Sequence, residues 1–324
     1  MKLKYVLGID TSCYTTSMAI ISTKREIIYN GQVILNVEKG QRGLRQSNAI
    51  FKHIKNIPHI TRKIGALINP KDIIAVASSS KPRPVEASYM PVFLVGEMLG
   101  RAISDFLSTP FYPTTHQEGH ISTGLYSLDR ALEDRFLAVH FSGGTTELLH
   151  VETTKTGYNI DLIGNTQDLH AGQFVDRIGV LMGFEFPAGP QLEQLARSGK
   201  DYAIDLPVFV KGMTIGFSGA ETHTKRILEK TDRVQDVAIA VYNCLANTLH
   251  RWIVNAVMQT DLKDVLLVGG VTSSNILREK LYALSEDKPN IQLHFAEPNL
   301  AKDNAVGAAL LGLKQHEGKK CYES

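Results

Sequence analysis

Tyr5-Val6-Leu7-Gly8-Ile9-Asp10-Thr11-Ser12-Cys13 and, half a chain later, Phe136-Leu137-Ala138-Val139-His140-Phe141-Ser142-Gly143-Gly144-Thr145 follow one pattern. Each is a short apolar run of strand-forming residues that stops at a turn of small residues. Two more strand-like segments follow each copy, at 16–21 and 26–32 in the first case and at 147–151 and 158–163 in the second. A strand, a small-residue turn and a meander repeated at this distance predict a duplicated architecture of two related lobes. Around these copies, 73–77 and Asp264–Val268 read as buried strands. The stretch 91–107 reads as an amphipathic helix with Val92, Val95, Leu99 and Ile103 inward, and 234–258 as a long helix. A helix is expected to start near Ser273 or Ser274, and a last one to cover 304–313 before a solvated basic tail, 314–320. Strands alternating with long helices give an α/β class. The boundaries expected are 1–130 for the first lobe and 131–324 for the second, with the last helix packing back on the first.

Two imidazoles sit four apart in Thr114-Thr115-His116-Gln117-Glu118-Gly119-His120. On a helix they share a face and reach one divalent cation together. Asp303, before the last apolar helical stretch, reads as a helix-capping carboxylate and as the third ligand. Two histidines and a carboxylate suit a first-row transition metal with open coordination positions. A zinc protease would place its glutamate beside the first histidine. Glu118 instead lies two positions from both, turned roughly 200° around the axis from the first.

Three loops fit a phosphate or nucleoside. Ser142-Gly143-Gly144-Thr145 can aim backbone N–H groups at phosphate oxygens, or can simply close a tight hairpin. Gly269-Gly270, between a buried strand and a helix, admits a flat base or ribose, or serves only as a tight turn. Asp10 ends its strand where a carboxylate holds a metal-bound water, or caps the turn at Ser12 or Cys13. Asp176 interrupts the apolar stretch Phe174, Val175, Ile178 and Val180; a ribose hydroxyl or a structural salt bridge would satisfy it.

The formal net charge of +2 offers no strong basic field for nucleic acid, which leaves only a local patch. Hydrophobic content of 43% with 21% charged residues is that of a soluble globular protein. Three scattered cysteines, Cys13, Cys244 and Cys321, argue against a disulfide framework and for a reducing, cytoplasmic setting. No apolar run has the length of a membrane span.

With these residues assembled, the chain resembles the tRNA threonylcarbamoyladenosine synthases, over nearly its whole length. Gly8-Ile9-Asp10-Thr11-Ser12-Cys13 is similar to the family's G-I-E-T-S-C, His116-Gln117-Glu118-Gly119-His120 to its H-M-E-G-H, and Ser142-Gly143-Gly144 to its S-G-G. Asp176 falls on the aspartate of F-D-K and Gly189 on the second glycine of P-G-G-P. Phe217-Ser218-Gly219, Gly269-Gly270-Val271 and Asp303-Asn304 match F-S-G, G-G-V and D-N. The resemblance implies an actin-like ATPase fold with nucleotide and metal in the cleft between the lobes. It also implies transfer of threonylcarbamoyl from a carbamoyl-adenylate to adenosine in tRNA. His116, His120 and Asp303 would hold one metal, iron or zinc. Asp10, His140, Phe141, Ser142, Gly143, Gly144, Thr145, Asp176, Gly189, Glu193, Gly269, Gly270 and Asn275 would form the nucleotide and substrate site. ATP or a carbamoyl-adenylate, with magnesium, is the expected cofactor. The expected partners are tRNA and either a related non-catalytic subunit or a second copy.

Departures fall on the acceptor side. The family's acidic pair after the cysteine is Tyr14-Thr15, its histidine after S-G-G is Thr145, and its F-S-G-L-K-T carries Ala220 and Glu221. Its D-D-A-x-G-E-A-F-D-K becomes Asp168-Leu169-His170-Ala171-Gly172-Gln173-Phe174-Val175-Asp176-Arg177, and the asparagine after G-G-V falls at Ser274, with Asn275 one place on. A divergent paralogue is therefore expected. Besides the transferase, a non-catalytic nucleotide-binding regulator and a carbamoyltransferase acting on a small molecule stay open.

Overall fold

The computed structural model describes residues 3–12, 14–37, 44–201, 203–288 and 290–323. In chain order the elements are β1 (Tyr5–Ser12), β2 (Thr15–Ser22), β3 (Ile27–Ile34), α1 (Gln46–Leu67), β4 (Ile73–Lys81), α2 (Phe93–Leu107), β5 (Phe111–Thr115) and α3 (His116–Tyr126). Then come β6 (Arg135–Phe141), β7 (Thr146–Thr153), β8 (Tyr158–Thr166), α4 (Ala171–Leu181), α5 (Gly189–Ala196), β9 (Phe209–Lys211), β10 (Thr214–Gly216) and α6 (Ser218–Leu228). The chain ends with α7 (Val234–Thr260), β11 (Asp264–Val268), α8 (Asn275–Ser285), β12 (Gln292–Phe295), α9 (Pro298–Ala301) and α10 (Val306–Glu323).

Two compact units result, each discontinuous in sequence. The first holds 1–127, 153–159 and 303–324, and the second 128–152 and 160–302. The first unit's sheet runs β3-β2-β1-β4-β5. β1 pairs antiparallel with β2 and parallel with β4, which pairs parallel with β5. The second sheet contains the order β8-β7-β6-β11-β12, extended past β8 by β10 and β9. There β6 is antiparallel to β7 and parallel to β11, which is parallel to β12. The same strand order built from the second sequence copy establishes the duplication. β1 and β2 are buried along nearly their whole length, and each carries an unbroken apolar run, 6–9 and 18–21, in place of alternation. The second unit's core is built around α7, where Trp252, Leu245 and Leu249 meet Phe141, Phe174 and Phe217.

Several expectations need correction. α1, twenty-two residues long, was not read from the sequence. It buries Ala49, His53, Ile60 and Ile64 and contains Pro58, so a histidine takes one of the inward positions and a proline stands in the middle of the run. In α2 the fully buried positions are Phe93, Gly96, Gly100 and Ser104, whereas Leu99 and Ile103 flank the contact half-buried. The small residues let the helix lie close on the sheet, so the deepest face is not the most apolar one. The segment 314–320 is not a solvated tail: α10 continues through it, with Lys314 donating to the Gly157 carbonyl at 3.2 Å and the Tyr112 hydroxyl 3.2 Å from His316 Nδ1. The turn proposed at Thr11-Ser12 is still strand, and Cys13 lies outside the described residues. Cys244 is a free, buried thiol whose pKa burial pushes up to about 12. Among the described residues no helix is long and apolar enough to cross a membrane.

Candidate functional site

The metal-ligating candidates meet within the first unit, at the carboxyl ends of its parallel strands. β5 delivers the chain into α3 through Thr115. The Thr115 hydroxyl accepts the Glu118 N–H, and the Glu118 carboxylate accepts the Thr115 N–H at 3.1 Å. This reciprocal cap satisfies the first free donors of the helix and fixes where it starts. His116 and His120 then fall one turn apart on one face, and Glu118 is engaged elsewhere. α10 brings the third group. A Cβ at Gly307 would stand 2.0 Å from the Gly119 carbonyl oxygen, so only glycine allows α10 and α3 to pack this closely. That contact carries Asp303, just upstream of α10, to the histidines. Asp303 is not the helix cap: the Val306 N–H goes to the Asn304 side-chain oxygen at 2.9 Å.

His116 Nε2 and His120 Nε2 are 3.1 Å apart, and Asp303 Oδ1 is 3.3 Å from the second and 3.6 Å from the first. Ligand atoms at about 2.1 Å from one ion stand roughly 3.0–3.4 Å apart at octahedral to tetrahedral angles, so the 3.1 and 3.3 Å edges match a transition-metal site and the 3.6 Å edge closes to it with a shift of about 0.2 Å. Asp10 Oδ1 lies 3.1 Å from His116 Nδ1, while its Oδ2 accepts the Ser12 N–H at 3.3 Å. A carboxylate behind a metal-binding imidazole fixes the tautomer and leaves Nε2 for the ion. Asp10, expected with the nucleotide set, therefore sits behind a histidine. The Ser12 hydroxyl donates to Asp303 Oδ2 at 3.1 Å and so holds the third candidate ligand, a role that nothing in the sequence around Ser12 signals.

The charges suit a cation. Burial disfavours the charged forms, but Asp10 and then Asp303 outweigh it at His116 and raise its pKa to about 9. Burial and the neighbouring His116 hold His120 below its ordinary value. Against the cost of burial, His116 lowers Asp10, and His120 and His116 hold Asp303 well below the carboxylate range. Two carboxylates, one imidazolium and one neutral imidazole leave the cluster net negative near neutral pH.

The second unit gathers the remaining candidates near the carboxyl ends of β6 and β11. The Ser142 N–H donates to the Thr145 carbonyl at 2.8 Å, and the turn rests on the start of α4 through Gly172 N–H to the Ser142 carbonyl at 3.1 Å. Gly143 and Gly144 are exposed, with open space where a side chain would be. Gly269 has φ +100°, and an added Cβ would lie 2.3 Å from the Phe141 carbonyl oxygen, which explains its identity without any ligand. His140 is buried in β6 beside it, and the Phe141 ring lies in the core against Phe217 and Trp252. Asp176 forms no ion pair among the described residues: its Oδ1 accepts the Ala188 N–H at 2.8 Å and the carboxylate also meets the Gly189 N–H. Burial outweighs these bonds and raises its pKa. Glu193 accepts the Ile276 N–H at 3.2 Å, at the start of α8, whose first residue is the exposed Asn275. Glu221, the charge reversal, is buried and paired with Lys225 at 2.6 Å and Arg177 at 3.3 Å, so it belongs to an internal network. Asp168 takes the N–H groups of Phe217 and Ser218 at 2.8 and 3.2 Å and caps α6.

Residues 32–310 match the family model for tRNA N6-adenosine threonylcarbamoyltransferase (TsaD). The chain belongs to this family. A tRNA N6-adenosine threonylcarbamoyltransferase of Prochlorococcus marinus (strain MIT 9515) is 30% identical, over 96% of this chain and 92% of the relative. One of Thermotoga neapolitana is 28% identical, over 96% and 94%. Among solved structures, component A of the Acidaminococcus fermentans (R)-2-hydroxyglutaryl-CoA dehydratase superposes with TM-score 0.58 at 16% identity, covering 97% of this chain and 99% of that one. A ROK family glucokinase from Streptomyces griseus gives 0.53 at 11%, covering 95% and 99%. These likenesses show the actin-like ATPase fold. Membership of the TsaD family supports a role in tRNA threonylcarbamoyladenosine synthesis.

Proposed function

We propose that this TsaD-family chain is a metal-dependent, nucleotide-binding carbamoyl-type transferase that modifies adenosine in tRNA. The convergence of His116, His120 and Asp303 on one point, with Asp10 behind His116, supports this reading most. A divalent ion held there, iron or zinc, would supply Lewis acidity toward a phosphate or carbamoyl oxygen. The chain's own groups do the rest. Asp10 and Ser12 would keep His116 and Asp303 aimed at such an ion. Within the Ser142–Thr145 turn the exposed Gly143 and Gly144 offer main-chain donors to phosphate, and Asp176 with Glu193 offers acceptors to ribose hydroxyls. In the transfer, the acceptor N6 forms a bond to the carbamoyl carbon and the carbamoyl–phosphate C–O bond breaks. AMP leaves with the electron pair, and the N6 proton passes to phosphate or water, because no side chain among the described residues is assigned as general base.

Purified protein incubated with ATP, bicarbonate, threonine and tRNA, with the enzyme that forms the adenylate, should yield threonylcarbamoyl-adenosine in digested tRNA. Carbamoylation of a small molecule instead, or ATP binding without turnover of any acceptor, would replace this reading by one of its two alternatives.

A further inference from the structure

Tyr242 stands in the first half of α7 among core residues and is almost fully buried, yet its hydroxyl reaches beyond the core. It donates to the Gly189 carbonyl at 3.2 Å. The same residue's N–H, with that of Ala188, goes to Asp176. The turn entering α5 is thus gripped from two sides, by a carboxylate on its N–H groups and by a phenol on its C=O. The phenol also lies beside the Ser274 side chain and within the fields of Glu193 and Asp176. Ser274 caps α8 through the Leu277 N–H at 3.3 Å and so fixes Asn275, while Glu193 takes the Ile276 N–H. One buried hydroxyl therefore touches the turn bearing Gly189 and the cap before Asn275, two segments assigned above to the nucleotide.

We infer that Tyr242 is a positioning residue for the ribose end of the nucleotide: its hydroxyl holds the Gly189 turn in register with Asp176, so that binding discriminates ribose from deoxyribose. This rests on the nucleotide site proposed above. A buried phenol must find an acceptor somewhere, and here it is the carbonyl of the very turn whose N–H groups hold Asp176. Set between the Gly189 carbonyl and the Ser274 side chain, the hydroxyl adds the geometry of the turn to the packing that the ring supplies.

The test compares ATP and 2′-deoxy-ATP binding by calorimetry in the full chain, its Tyr242→Phe variant and its Asp176→Asn variant. The wild type should prefer ATP by about tenfold, the worth of one well-placed hydrogen bond. Tyr242→Phe should bring this ratio to within about twofold by weakening ATP, with deoxy-ATP affinity nearly unchanged and the ligand-free protein still melting cooperatively. A merely structural role would weaken both nucleotides alike and leave the ratio. Loss of the ratio in Asp176→Asn but not in Tyr242→Phe overturns the inference and leaves the site standing. No preference in the wild type, or no binding of ATP, overturns the assignment of ribose to this turn and the inference with it.

Discussion

Replacing Asp10 by asparagine should change the proposed metal site in a way that can be counted in protons. In the metal-free protein, His116 titrates at about 9 because the Asp10 and Asp303 carboxylates outweigh its burial. At pH 7.5 about 97% of molecules therefore carry the imidazolium, and a cation must displace one proton to reach Nε2. That displacement costs about 2 kcal/mol at pH 7.5, roughly a thirtyfold loss of apparent affinity, and the loss shrinks tenfold per pH unit until about pH 9. Asp10→Asn preserves an acceptor for Nδ1–H, 3.1 Å away in the wild type, but removes the charge. Burial then dominates, His116 becomes neutral, and the proton penalty disappears. Against this, a metal ligand that loses its supporting carboxylate forfeits about 10- to 100-fold in affinity. The two effects nearly cancel in Kd, whereas the proton count does not. Calorimetric titration with Zn(II) or Co(II) in buffers of differing ionisation enthalpy should give about one proton released by the wild type and nearly none by Asp10→Asn. Equal counts in the two proteins would refute the reasoning.

The metal-free protein should lose stability as pH rises from 6.5 through 9. His116 is raised on folding, so its contribution is complete below its ordinary value and vanishes above about 9; a melting temperature that stays flat, or a slope equal to that of His116→Ala, would contradict this. Acid has the opposite effect on Asp303 and Asp10, whose lowered values contribute above about pH 4 and are lost below it. Glu118→Ala should cost about 1 kcal/mol in denaturant unfolding by removing the cap of α3, with metal content unchanged; loss of the metal would place Glu118 in the site. Gly269→Ala should cost at least about 2 kcal/mol, since it meets both positive φ and a backbone oxygen, and an unmoved urea midpoint would show that the strand-to-helix turn can relax.

What the sequence revealed and what it hid divide along physical lines. The strands of both copies were legible because their apolar runs end at small-residue turns, and His116 and His120 because helical spacing alone puts them together. Asp303 was found from a different cue, a supposed cap, although its carboxylate faces the histidines and Asn304 does the capping. α1 stayed hidden because one buried position is His53 and its middle holds Pro58. Asp10 looked like a phosphate-side carboxylate; its pairing with His116 spans 106 residues and depends on the register of β1 beside β4 and β5. Tyr242 gave no signal, being one large residue among many on a buried helix, and only the direction of its hydroxyl sets it apart.

The most direct test is anaerobic metal analysis after reconstitution with Fe(II) or Zn(II) and desalting. The account predicts one equivalent per wild-type chain, and far less than one for His116→Ala/His120→Ala and for Asp303→Ala. Stoichiometric metal retained by either variant would contradict it.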